Sequence, residues 1–306
     1  MVPHLITALN GPINELEQRI LESMPAIERW FRLEWMEHTP PFYTSVDVRN
    51  AGFKLAPVDT NLYPGGFNNL TPEMLPLAVR RKSQHFAAYE EVAKKFAKLL
   101  GMDPWLINPM FAKCGKVNFQ DGTGQECVQS HADALLGKIR RKYKEYGIQE
   151  KPFVIVKADA GTYGMGIMTV RDAKDLDELN RKARNKMSVI KDGQEVSEVI
   201  IQEGVPTYER MNDAVAEPVV YMIDRYVVGG FYRVHAERGI DENLNAPGSS
   251  FVPLAFAEHH QLPRPGEKPG ASAPNRFYMY GVIGRLAMLG ASYELEATDP
   301  DAEVYE

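Results

Sequence analysis

Long apolar runs are missing from this sequence. No stretch of about 18 residues is apolar enough to cross a bilayer, so no membrane span is expected. Cysteine is nearly absent: Cys114 and Cys127 are the only two. They lack the spacing of a zinc module and are too few for a disulfide framework, so they read as two small buried or half-buried thiols. An excess of positive charge is missing as well. With 35 Lys+Arg against 41 Asp+Glu, the net charge is −6, the opposite of a nucleic-acid-binding footprint. A small anionic substrate needs only a local basic pocket and is not excluded. The first twenty residues carry charges where a secretion signal has its apolar run, which together with the scarce cysteine fits a reducing cytoplasm. Internal repeats and low-complexity tracts are absent. So are the phosphate loop G-x-x-x-x-G-K-[ST], the dinucleotide fingerprint and the H-R-D and D-F-G strings of protein kinases.

What remains is a 306-residue chain, 44% hydrophobic, long enough for two domains or one large one. Apolar residues at helical spacing predict helices over 11–36, 82–101 (closed by Gly101), 131–146 (closed by Gly147), 172–187 and 275–296. Short apolar runs predict strands at FVIVK, IMTV and EVIIQEGV, and a pair of strands joined near Asp224-Arg225. His85, His131 and His235 read as packing or surface groups, and His259-His260 as part of a loop.

Four segments carry chemistry. The stretch from Tyr43 to Leu70 combines Asp47, Arg49, Asn50, Lys54, Asp59, Asn61, Asn68 and Asn69. It reads either as a solvated loop or as the wall of a polar pocket in which Arg49 and Lys54 hold carboxylates. Lys157 ends a buried-type strand and is followed by Gly161, Gly164 and Gly166. Such a cluster is either a tight hairpin or a flap whose backbone N–H groups face a phosphate, with the lysine adding charge. The strand end Gln202-Glu203-Gly204-Val205 can offer backbone groups to an adenine edge, and Glu209 a carboxylate to ribose hydroxyls. Arg233 lies on a later strand, ahead of Asp241, Glu242, Asn243 and Asn245. These hard oxygen ligands suit Mg²⁺ or form an ordinary polar turn.

In this order the elements resemble the ATP-grasp superfamily, and Tyr221 to Leu254 is similar in spacing to part of the bacterial glutathione synthetases. The strings VDTNLYPGGFNNL, RRKSQHFAAYEEVAKKFAKLLGMDPWLINP, KADAGTYGMGIMTVRDA, EVSEVIIQEGVPT and MIDRYVVGGFYRVHAERGIDENLNAPG more closely resemble the proteobacterial, acidithiobacillus-type glutamate–cysteine ligases. That resemblance covers nearly the whole chain. It implies an α/β (α+β) ATP-grasp fold and an ATP- and Mg²⁺-dependent enzyme joining glutamate to cysteine. Lys157 and Arg233 would be catalytic, and Asp47, Arg49, Asn50, Lys54, Asp59 and Asn61 would bind substrate. Lys157, Gly161, Gly164, Gly166, Gln202, Glu203, Val205, Glu209 and Asn243 would hold the nucleotide. Glu242 and Asn245, or Glu294 and Glu296 in place of the superfamily's terminal E-x-N pair, would bind metal. Only TPEMLPLAV separates Leu70 from Arg80, where the resembling family is longer. The expected organisation is therefore a reduced amino-terminal substrate part over 1–79 and an ATP-grasp domain over 80–306, with a lid at 151–205. The alternatives are an ATP-binding protein with impaired turnover and a small-molecule phosphotransferase.

Overall fold

The computed structural model describes residues 5–6, 12–65, 71, 80–160, 167–176, 185, 187, 197–253 and 276–299. Their architecture is mixed α+β, and every strand ladder is antiparallel. The larger sheet is organised by β9 (Ala214–Ile223). One edge of β9 pairs with β10 (Tyr226–His235), which in turn carries β11 (Ser250–Pro253). Its other edge is shared. Toward Ile223 it pairs with β2 (Tyr43–Asn50), which is flanked by β3 (Leu55–Asn61). Toward Ala214 it pairs with β8 (Arg210–Met211), which carries β1 (Leu5–Ile6). A separate four-stranded sheet has the order β4-β7-β5-β6: Phe111–Gly115, Glu198–Glu203, Val154–Ala158 and Met168–Val170.

Each sheet has its own core. Helices α1 (Pro12–Glu22), α2 (Met24–Glu37), α3 (Lys82–Leu100) and α5 (Phe277–Thr298) pack on the larger sheet through residues such as Ile20, Phe31, Phe86, Phe96 and Leu286. Helix α4 (Gln125–Glu145) covers the smaller sheet through Val128, Leu135, Leu136 and Ile139, against Val154, Val156 and Val199. The smaller sheet and its core therefore take in β4 and α4 as well as β5, β6 and β7. Helix α5 is buried almost all round, as an apolar helix enclosed by other elements must be. A Cβ at Gly290 would lie 3.0 Å from Tyr89 Cα, so glycine there lets α5 and α3 approach backbone to backbone.

Several expectations are corrected. The first helix is two, because Ser23 leaves helical geometry and Pro25 opens the second. Helix α4 starts at Gln125, six residues before the periodic apolar positions made visible, since its first turn is polar. Ala173–Leu176 is a 3-10 turn, held by Asp175, whose carboxylate accepts the backbone N–H groups of Arg171 and Asp172; residues 177–184 lie outside the described residues. Cys114 and Cys127 are joined in a disulfide, because β4 crosses α4 just where the two face each other. The helix at 82–100, closed by Gly101 in the left-handed region (φ 61°), and the hairpin turning at Asp224-Arg225 stand as expected.

Candidate active site

The sheet register assembles a cluster of charges on one face of the larger sheet. Arg233 on β10 stands opposite Glu217 on β9, and β9 brings in β2 with Asp47 and Arg49. The Arg233 guanidinium donates to Glu217 (2.6 Å) and to both oxygens of Asp47 (2.7 and 3.3 Å). Glu217 also accepts from Arg49 Nε at 2.7 Å. Burial and the facing Glu217 push the Asp47 carboxyl up, and Arg233 opposes this. Arg233 Nε is buried with no hydrogen-bond partner among the described residues. Such an orphaned donor costs about 1–3 kcal/mol and calls for an explanation.

Arg49 acts as a staple. Three of its remaining N–H groups donate to the carbonyls of Val205 (3.2 Å), Ile240 (3.5 Å) and Glu242 (2.6 Å). It thereby ties β2 to the segment after β7 and to the loop after β10. Four of its five N–H groups are engaged within the protein, so it shapes this face instead of projecting from it.

The smaller sheet contributes Lys157, at the end of β5 and buried. Its Nζ donates to the Val58 carbonyl at 2.8 Å. Burial lowers its pKa to about 8, against the pull of Asp59 and Asp47. Burial would raise the Asp59 carboxyl, but Lys82 (2.7 Å) and Lys157 overcome it and hold it down at about 2. Just beyond Lys157, the Asp159 carboxylate accepts the Ser83 backbone N–H and hydroxyl, both at 2.7 Å. This caps the start of α3 and pins the chain where the glycine cluster begins. Gly161, Gly164 and Gly166, like Asn68 and Asn69, lie outside the described residues.

The segment leaving β7 is dry. Gln202 is buried with its Nε2 lacking a hydrogen-bond partner among the described residues. Glu203 accepts from Lys54 Nζ (2.8 Å), Trp105 Nε1 (2.9 Å) and the Met110 backbone N–H (2.9 Å). The Lys54 ammonium also sits 4.4 Å from the Trp105 ring centre. Lys54 is wholly buried in this pair and is not presented to a carboxylate ligand. Glu209 is likewise turned inward, accepting from Asn50 at 2.8 Å and from the Tyr280 hydroxyl, so neither Asn50 nor Glu209 faces a ligand. Gly204 follows, where an added Cβ would fall 2.1 Å from the Phe153 ring. Gly204→Ala is expected to cost at least about 1–3 kcal/mol through overpacking, seen as a lower melting temperature. Part of it should return in Gly204→Ala/Phe153→Leu. A single variant melting with the parent would show that the ring yields freely.

Beside this segment, Ile167, Met168, Thr169 and Met187 of the smaller unit face Arg238, Glu242 and Asn243 across a cavity of about 240 Å³. It is apolar on one wall and polar on the other. The carboxylate of Glu242 accepts the Gly239 N–H (2.7 Å) and pairs with Arg238, which lowers its pKa. Asp241 pairs with Arg171, at the end of β6. Asn243 and Asn245 bond to each other in a local turn.

Asp47, Arg49, Asp59, Lys157 and Arg233 thus converge, while Gln202, Val205, Glu242 and Asn243 flank them. Asn61 ends β3 opposite Ser45. Glu294 and Glu296 do not form a joint metal pair. Two residues apart on α5, they face different ways: Glu294 is buried against Arg80 and His85, and Glu296 pairs with His38 at 2.8 Å. Sequence reasoning missed Glu217, Lys82, Arg238 and Met187. Glu217 sits in an apolar strand, AVAEPVVYMI, where a lone carboxylate signals a buried partner; the others carried no signal.

A family model described as glutamate-cysteine ligase matches residues 17–80 and 77–295. A solved structure from Methylobacillus flagellatus KT, provisionally named a gamma-glutamylcysteine synthetase, is similar with a TM-score of 0.82 and 44% identity, covering 98% of this chain and 100% of that one. No curated protein matches the sequence.

Proposed function

The chain belongs to the glutamate–cysteine ligase family, and we propose that it forms γ-glutamylcysteine through an acyl phosphate, with its charge cluster as the reaction site. The observation that carries this reading is the convergence of Lys157, Arg233, Asp47 and Asp59 beside a cavity that is apolar on one side and polar on the other. The buried, unpartnered donors Arg233 Nε and Gln202 Nε2 fit a bound anionic nucleotide. ATP supplies the phosphoryl group that makes a poor acyl donor into a good one, and Mg²⁺ neutralises its charge.

The residues of the chain then have separable tasks. Lys157 and Arg233 place positive charge where oxygens accumulate it. Asp47 and Asp59 hold those cations in register, and Arg49 fixes the strand that carries them. Ile167, Met168 and Met187 offer an apolar wall to a base. Glu242 and Asn245 remain the metal candidates. The smaller unit serves as the lid, covering the phosphates and excluding water.

A pH profile follows. Lys157 must be protonated to act, and its pKa is about 8. Since kcat/KM reports the free enzyme, kcat/KM for ATP should fall as pH rises through about 8. In Lys157→Arg, whatever its absolute level, this break should vanish. A break unchanged in that variant would assign the titration elsewhere.

The direct test is phosphate release with ATP and Mg²⁺, with glutamate and cysteine each supplied or withheld, alongside mass spectrometry. Release requiring both amino acids, with a γ-glutamylcysteine product, establishes the reading. A stable phosphorylated product without an amide would make the protein a phosphotransferase. Stabilisation by ATP with no turnover would leave only a binding protein.

A further inference from the structure

Cys114, Cys127 and His131 form a second cluster, where the edge strand β4 of the smaller sheet meets α4. Among the described residues it is the one group of three or more His, Cys, Asp and Glu whose ligand atoms all lie within 4.8 Å of one another. Its geometry comes from two elements. Cys127 and His131 are four residues apart on α4 and so share one face. Strand β4, paired to β7 with Cys114 opposite Val199, lays Cys114 over that face. His131 Nδ1 is 3.3 Å from Cys114 Sγ and 3.4 Å from Cys127 Sγ. Tetrahedral zinc, with Zn–S near 2.3 Å and Zn–N near 2.0–2.1 Å, places nitrogen about 3.6 Å from each sulfur and the sulfurs about 3.8 Å apart. The imidazole therefore already stands at ligand separation from both sulfurs.

We propose that, once the Cys114–Cys127 disulfide is reduced, Cys114, Cys127 and His131 bind one thiophilic divalent cation such as zinc. Reduction by a dithiol balances: two thiol hydrogens pass to the cysteine sulfurs, and the reductant closes to its own cyclic disulfide. Metal entry then releases the two thiol protons. His131 Nδ1, whose N–H now donates to the Cys127 carbonyl at 2.9 Å, gives up that bond and its proton passes to Nε2, which frees the Nδ1 lone pair for the metal. Cys114 is buried, Cys127 half-buried and His131 exposed. Solvent takes the fourth position, as in zinc sites with three protein ligands. Oxidation to the disulfide removes both thiolates, so the same three residues alternate between a covalent clasp and a metal site.

The test uses the full chain, reduced with dithiol, freed of reductant without air and titrated with Co²⁺, then Zn²⁺. One Co²⁺ per chain is expected, with an intense thiolate-to-metal absorption that Zn²⁺ abolishes; the oxidised protein should take up none. Cys127→Ser and His131→Gln, both at accessible positions and checked for parental circular dichroism, should each bind at least about tenfold more weakly. Reduced protein that shows no thiolate absorption, or variants that bind as tightly as the parent, would overturn the proposal and leave a structural disulfide.

Discussion

Replacing Lys157 by methionine should lower kcat/KM for ATP-dependent turnover by about 10²–10³-fold, the usual loss when one preorganised charge leaves a site where negative charge develops. The fold should survive. Among the described residues the buried Lys157 ammonium has a single bonded partner, the Val58 carbonyl, and burial works against its charge. Removing it relieves that desolvation and leaves Asp59 with its bonded partner Lys82. Melting temperature within a few degrees of the parent, together with lost turnover, is therefore the expected pair of readings. Turnover within tenfold of the parent would take Lys157 out of the mechanism.

The largest effect on stability should come from Glu203. Its carboxylate is the common acceptor of the Lys54 ammonium, the Trp105 indole N–H and the Met110 backbone N–H. Glu203→Ala leaves a buried cation and two buried donors without it. Breaking such a pair on one side costs about 3–5 kcal/mol, a fall of roughly 6–20 °C in melting temperature for a chain of this size. Lys54→Met should also destabilise, but by less, since Glu203 keeps its two N–H donors. In the double variant Lys54→Met/Glu203→Leu, the loss should be well below the sum of the singles, because no buried charge is left alone. Additive losses would mean that the pair does not act as a unit. The sign with pH is also fixed. Burial lowers the Lys54 pKa to about 8 despite Glu203, so the unfolded chain holds this proton over a range where the folded chain has lost it. This group's contribution to stability therefore rises as pH climbs from about 8 toward the ordinary lysine value. Urea titrations of parent and Lys54→Met across that window would show the difference.

The sequence revealed elements better than pairings. Helix α3, the strand ending at Lys157 and the hairpin at Asp224-Arg225 follow from local periodicity and turn chemistry, which neighbours in sequence determine. The roles of Arg49, Lys54 and Glu209 did not follow. A polar residue in a mixed segment looks the same whether it faces a ligand or a buried partner more than a hundred residues away, and Lys54 and Glu203 are such a pair. The disulfide escaped although its cysteines are only 13 residues apart, because nothing near Cys114 says that α4 will pass beneath β4. Glu294 and Glu296 misled through their E-x-E spacing, which on a helix sends two carboxylates in different directions.

Two bonds of the charge cluster and the buried pair near it share one property. Asp47 and Arg233 are 186 residues apart, Arg49 and Glu217 168, and Lys54 and Glu203 149. Contacts at such separation form only after large loops have closed, whose entropy no local segment can offset. These contacts therefore belong to the late part of folding, after the β9–β10 hairpin that joins Arg233 to Glu217. Local fraying elsewhere leaves the cluster untouched, but loss of β2 or β10 dissolves all of it together. A ligand seated there accordingly holds these long loops shut, and its grip should appear as slower amide exchange across the whole sheet, far beyond the atoms it touches.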